Sequence, residues 1–208
     1  MPASSTSADA RRPEAPTARS LKELARWVSI VAHPFVMVAL LVAVPAMRNA
    51  SGNPVQSVLL VIIAVVVPML VLMFRQVRRG RWSDADASKR SDRPVLFMVA
   101  LAGLIAALGW LRLNDPESFL VRGFLVVAAF LLVSALLTRW AVKLSLHVAF
   151  AALTTTTLCL LGSTVGYVLI AVVPVVAWSR LALARHRVHE LLVGLILGVM
   201  TGIVLVRF

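Results

Sequence analysis

Hydrophobic positions in this chain come in long, nearly unbroken runs, separated by short segments that hold most of the charge. Five runs, 27–47, 55–77, 94–113, 119–137 and 144–161, come close to the roughly 20 residues an α-helix needs to cross a hydrocarbon core. Two more follow at 165–178 and 191–206, the former reaching full length only if it continues towards residue 183. The pattern predicts an all-α polytopic membrane helix bundle of about seven transmembrane helices, forming one domain over 21–208. Residues 1–20 are rich in Ser, Ala, Pro and Arg and hold no aromatic residue; they are expected to be a disordered tail, having too little apolar surface to fold alone. The first run starts late, is too long for a signal-peptide core and contains Pro34, so it is expected to stay as a helix.

Composition agrees with a bilayer as solvent. Of 208 residues, 60% are hydrophobic and 14% charged, and the mean hydropathy is +0.92, too apolar for a soluble domain. The net charge of +12 does not imply nucleic acid, because the basic residues gather at helix ends rather than along one solvated face. The single cysteine, Cys159, lies inside an apolar run and is read as a packing residue, which excludes a disulfide. The hydroxyls of Thr154 to Thr157 are expected to bond back to the carbonyls of their own helix.

Three polar segments carry the candidate chemistry: 83–94 before the third run, 143–147 opening the fifth, and 179–190 between the sixth and seventh. Two crossings separate each from the next, so all three return to one membrane face, which the N-terminus shares. Of the 21 basic residues, Arg48, Arg112, Arg122 and Arg207 fall on the opposite face, which leaves 17 on the site face. The positive-inside rule then makes the N-terminus and the site cytoplasmic and the C-terminus external, the membrane being the inner membrane of a bacterium.

In the last segment, Ser179 and Arg180 are followed after five residues by His186 and after three more by Glu190. His186 and Glu190 stand one helical turn apart, so the carboxylate is expected to hold one imidazole nitrogen and leave the other for chemistry. Arg180 offers a planar fork to an anion. Ser145, Leu146 and His147 open a helix, where backbone N–H groups favour phosphate and the Ser145 hydroxyl adds a donor. Arg90 and Arg93 precede Pro94, a residue suited to a helix start. His33, beside Pro34 on the site side of the first run, is a possible lining residue of the pocket or a packing histidine.

Together these segments resemble the type 2 phosphatidic acid phosphatase superfamily, membrane lipid phosphatases with three motifs. These are Lys, six residues, Arg-Pro; Ser-Gly-His; and Ser-Arg, five residues, His, three residues, Asp. The third is matched by Ser179, Arg180, His186 and Glu190, the second by Ser145, Leu146 and His147, and the first by Arg93 and Pro94, with Asp86 where the lysine belongs. Near that departure stand Asp84, Lys89 and Arg90, and Arg90 is a candidate replacement for the missing positive charge.

The resemblance implies that His186 is a nucleophile forming a phosphohistidine, Glu190 its orienting carboxylate and His147 the general acid. Arg93, Arg180, Ser145, Leu146, Arg90 and Ser179 are the expected phosphate ligands. It implies no cofactor, although Asp84 and Asp86 are candidate ligands for Mg²⁺ bridging a diphosphate, or partners of neighbouring arginines. The expected substrate is a lipid phosphate held from the bilayer, an isoprenoid or polyprenyl phosphate or diphosphate being favoured over phosphatidic acid or phosphatidylglycerophosphate. Two readings of other kinds stand beside it: a Mg²⁺-dependent prenyltransferase, suggested by Asp84 and Asp86, and a non-catalytic membrane protein. Oligomeric state is left open.

Overall fold

The computed structural model describes residues 16–48, 53–82, 90–140 and 142–207; the expected site residues Asp84, Asp86 and Lys89 lie outside them. Among the described residues every regular element is helical: α1 (Pro16–Val31), α2 (Pro34–Arg48), α3 (Pro54–Val61), a π-helical segment (Ile62–Val66), α4 (Val67–Arg78), a 3₁₀ turn (Arg90–Asp92), α5 (Arg93–Asn114), α6 (Phe119–Trp140), α7 (Leu146–Leu160), α8 (Thr164–Ala182) and α9 (Val188–Arg207).

Six stretches are long and apolar enough to cross a membrane: Arg19–Arg48, Val55–Arg78, Arg90–Asn114, Leu120–Trp140, Thr164–Ala182 and Val188–Arg207. The chain is an integral membrane protein of the all-α polytopic class. The seventh apolar helix, α7, has 15 residues. It is shorter than the run that predicts it because Leu144 is outside the helix, Ser145 ahead of it is extended and Gly162, with φ +66°, closes it. Eleven of its residues are buried, and α2, α8 and α9 pack around α7.

Two local departures have identifiable causes. Helix α1 already covers residues 16–20, within the segment expected to be a tail, beginning at Pro16, whose fixed φ suits a helix start. The first apolar run is broken at Ala32 and His33, because Pro34 has no N–H to continue the ladder and disfavours helical backbone in the residue before it.

Close backbone approach sets the packing. Gly194, Gly198 and Gly202 recur every four residues along one face of α9, and α7 lies against that face. A Cβ on Gly194 would stand 2.7 Å from the Ser145 carbonyl oxygen, and one on Gly198 would meet the Ala149 carbonyl. The pairing is parallel, so the starts of α7 and α9 lie side by side. Helix α2 runs alongside as well: Thr154 Oγ1 donates to the Met37 carbonyl at 3.1 Å, a tie between helices where a bond within α7 was expected. At the other end, Arg48 donates to the Leu161 and Gly162 carbonyls at 2.6 and 3.2 Å, satisfying the C-terminal carbonyls of α7. Helix α8 doubles back, with Gly166 against Leu158 and Cys159. The π-helical segment sits just ahead of Pro68, whose ring excludes the Ala64 carbonyl four residues back, and that carbonyl faces Gly103 of α5.

Candidate active site

These directions bring the starts of α5, α7 and α9 and the end of α8 to one end of the bundle. The segment 143–147 is stitched to the start of α9 through its backbone, the Ser145 N–H donating to the Glu190 carbonyl at 3.1 Å. Arg93, the first residue of α5 and 3% exposed, donates from Nη1 to the Leu144 carbonyl at 2.6 Å. One arginine thereby joins the first polar segment to the second.

His186 lies in the irregular stretch ahead of α9 rather than on a helix. Its Nδ1 is 2.7 Å from Glu190 Oε2, and the same oxygen accepts the Arg187 N–H at 3.3 Å. Glu190 thus reaches back from the third position of α9 to the residue that caps it, the carboxylate half of a capping box. A helix start, not a helical turn, makes the His186 contact. The carboxylate assigns the ring proton to Nδ1 and leaves the lone pair on Nε2. Lys143 completes this corner: its Nζ donates to the Arg185 carbonyl at 3.0 Å and stands 3.8 Å from Glu190 Oε2.

Arg180 is 1% exposed, and its Nη1 donates to Ser29 Oγ of α1 at 2.6 Å. His147 is buried at the start of α7, with its ring edge-on to His33 at 5.1 Å between centroids. Arg93 Nε, Ser145 Oγ and His147 Nε2 are buried and have no hydrogen-bond partner among the described residues. A buried polar group without a partner is destabilising by about 1–3 kcal/mol, and Arg93 and His147 line one cavity, so this pair fits a polar ligand there.

Two expected ligands are turned elsewhere. The Ser179 hydroxyl donates to the Val176 carbonyl of its own helix at 2.8 Å, which spends its one proton. Arg90 is exposed and its Nε donates to the Thr138 carbonyl at the end of α6. Conversely, Lys143 and Ser29 belong to the cluster without having been expected in it. Lys143 had a signal, standing four residues before His147. Ser29 had none, being one small polar residue on a helix remote in sequence.

A cavity of about 820 Å³ begins at this cluster, where Arg93, His147, Arg180, His186, Leu146 and His33 line it. Beyond them its wall is apolar, with Phe35, Val38, Leu41 and Val42 from α2, Val65, Met69 and Met73 from the second crossing, and Leu96, Ala100 and Leu104 from α5. It ends at Arg112, Glu117 and Arg122. Arg93 and Arg112 stand about 28 Å apart along α5 at the helical rise per residue, close to the thickness of a hydrocarbon core. Among the described residues no group of three or more His, Cys, Asp or Glu side chains is arranged to hold a metal ion.

Fold and site define a polytopic α-helical membrane protein with a buried, cationic, histidine-bearing cluster at one end of the bundle, opening into a long and mainly apolar cavity. No protein-family model, curated protein or solved structure matches the chain.

Proposed function

We propose that the protein is a membrane lipid phosphatase of the type 2 phosphatidic acid phosphatase kind, hydrolysing the phosphate or diphosphate ester of an isoprenoid lipid through a phosphohistidine. The observation that carries the proposal is the shared cavity: His186, held at Nδ1 by Glu190 at 2.7 Å, opens onto the same space as His147, Arg93 and Arg180. That set supplies a nucleophile, a proton donor and two guanidinium groups, and the apolar remainder of the cavity suits a hydrocarbon tail.

His186 Nε2 attacks the phosphorus, and the bond to the lipid oxygen breaks. The proton on His147 passes to the leaving oxygen. The phosphorylated ring keeps its Nδ1 proton and becomes a cation, which Glu190 stabilises. Arg93, Arg180, Ser145 Oγ and the Leu146 N–H, one of the first amides of α7, face the charge that builds on the phosphoryl oxygens. Water, deprotonated by His147, then attacks phosphorus, the P–N bond breaks, and phosphate leaves. Each step has a protein group in its role.

The excess of basic residues on the site end favours a cytoplasmic site in a bacterial inner membrane, with the C-terminus outside. The test is phosphate release from lipid phosphates by the purified full chain, with and without a chelator. A phosphoenzyme that is labile in acid and stable in base is expected from wild type. His186→Ala is expected to lose both turnover and phosphoenzyme while keeping the wild-type melting temperature. Retained turnover in that variant would falsify the reading.

A further inference from the structure

His33 stands at the point where the polar end of the cavity gives way to its apolar length. The chain breaks there between α1 and α2, and the residues that follow, Pro34, Phe35, Val38 and Leu41, line the cavity as it leaves the cluster. The His33 ring faces His147 edge-on at 5.1 Å. Its Nδ1 accepts the Phe35 N–H at 3.3 Å, so Nε2 is the nitrogen that carries the proton in the neutral ring.

In the reaction argued above, the leaving group connects the transferred phosphoryl to the tail. It therefore occupies the stretch between His147 and the apolar wall, the stretch that His33 borders. A leaving alcohol offers one oxygen there, and the His147 proton already serves it. A leaving lipid phosphate offers several oxygens and a negative charge, enough for two donors at once. We propose that His33 is a specificity residue whose Nε2–H binds the leaving group of a lipid diphosphate, so that the preferred substrate carries two phosphates and the lipid product keeps one.

The step balances without a further reactant. His186 Nε2 attacks the outer phosphorus, the bridging P–O bond breaks, and its electron pair stays on the lipid monophosphate. His147 supplies the proton, and His33 donates a hydrogen bond and transfers nothing. Water then releases the outer group as inorganic phosphate.

This inference rests on the phosphatase reading, and one experiment separates the two. The purified full chain is assayed on farnesyl diphosphate and farnesyl monophosphate, as wild type, His33→Asn and His33→Gln. The Asn side chain keeps an acceptor for the Phe35 N–H but ends short of the Nε2 position, whereas the Gln nitrogen reaches it. Expected is a wild-type kcat/KM at least about tenfold higher for the diphosphate. His33→Asn should lower the diphosphate value by about tenfold to a hundredfold, the effect of losing one hydrogen bond to a charged group, and so reduce the ratio of the diphosphate to the monophosphate value by about tenfold or more. His33→Gln should recover most of the loss. Should His33→Asn fail to fold, His33→Phe, which keeps the ring and lacks both nitrogens, takes its place. Equal losses on both substrates, no loss on either, or a wild type without diphosphate preference overturns the role of His33 while the phosphatase reading stands. A wild type inactive on both substrates overturns both.

Discussion

Ser29 Oγ accepts a hydrogen bond from Arg180 Nη1 at 2.6 Å, across 151 positions of sequence. The serine is on the amphipathic α1 and the arginine at the end of α8, so the N-terminal helix takes part in holding a guanidinium of the candidate site. Both groups are nearly inaccessible, and a buried bond to a charged donor contributes about 1.5–3 kcal/mol. Ser29→Ala should lower kcat/KM for lipid phosphate about tenfold or more, with Ser29→Thr close to wild type. If alanine and threonine are equally active, Arg180 does not depend on this contact.

Glu190 Oε2 is shared by His186 Nδ1, the Arg187 N–H and Lys143 Nζ. Glu190→Gln keeps the shape and removes the charge that, in the proposed reaction, stabilises a phosphorylated imidazole. Its kcat should fall about a thousandfold or more, the order of loss when the carboxylate behind a catalytic histidine is made neutral. Lys143→Met, which removes a long ion pair of 3.8 Å and one bond to the Arg185 carbonyl, should fall only about tenfold. Single-turnover measurement of phosphoenzyme formation checks the ranking, and a larger loss for Lys143→Met would reverse the roles assigned to the two residues.

The helices and one corner of the site were legible in the chain for the same physical reason: lipid tolerates few charges, so each polar residue at a span's end stands out. The runs at 55–77, 94–113 and 191–206 became α3 to α4, α5 and α9, and the spacing of His186 and Glu190 became a contact of 2.7 Å. What spacing does not carry is the direction in which a side chain leaves its turn. Ser179 has the right position but bonds its own helix, as hydroxyls in helices do. Arg90 leaves its 3₁₀ turn towards Thr138. Ser29 was invisible because nothing local marks a serine whose partner lies on another helix. The run at 144–161 did become α7, but its shortness and central place were hidden, because an apolar run reads alike whether protein or lipid covers it.

The seam between α7 and α9 should be intolerant of any side chain. Gly198→Val places branched carbon against the Ala149 carbonyl and the Ala152 side chain, and overpacking of this kind destabilises by about 1–3 kcal/mol, more where backbone has to move. Because the same seam holds Ser145 against Glu190, activity should fall with the melting temperature. Gly109 and Gly123 have open space around them, so Gly109→Ala and Gly123→Ala should keep activity and gain up to about 1 kcal/mol from helix propensity. Thermal melts in detergent compare the three, and a Gly198→Val as stable as wild type would refute the seam.

The last prediction concerns the depth of the cavity. Ala100 lines it and stands about 10 Å below Arg93 along α5 at the helical rise per residue. A benzyl group there would block the passage beyond that depth and leave the polar cluster untouched. A lipid phosphate whose tail is shorter than that distance should then be turned over by Ala100→Phe as by wild type, while long prenyl substrates lose about tenfold or more in kcat/KM, chiefly through KM, because each buried methylene contributes about 0.8 kcal/mol. A tail that stayed in the bilayer outside the bundle would not register the change. The same fractional loss for short and long tails would therefore place the hydrocarbon against the outer surface of the helices and leave the cavity to the head group alone.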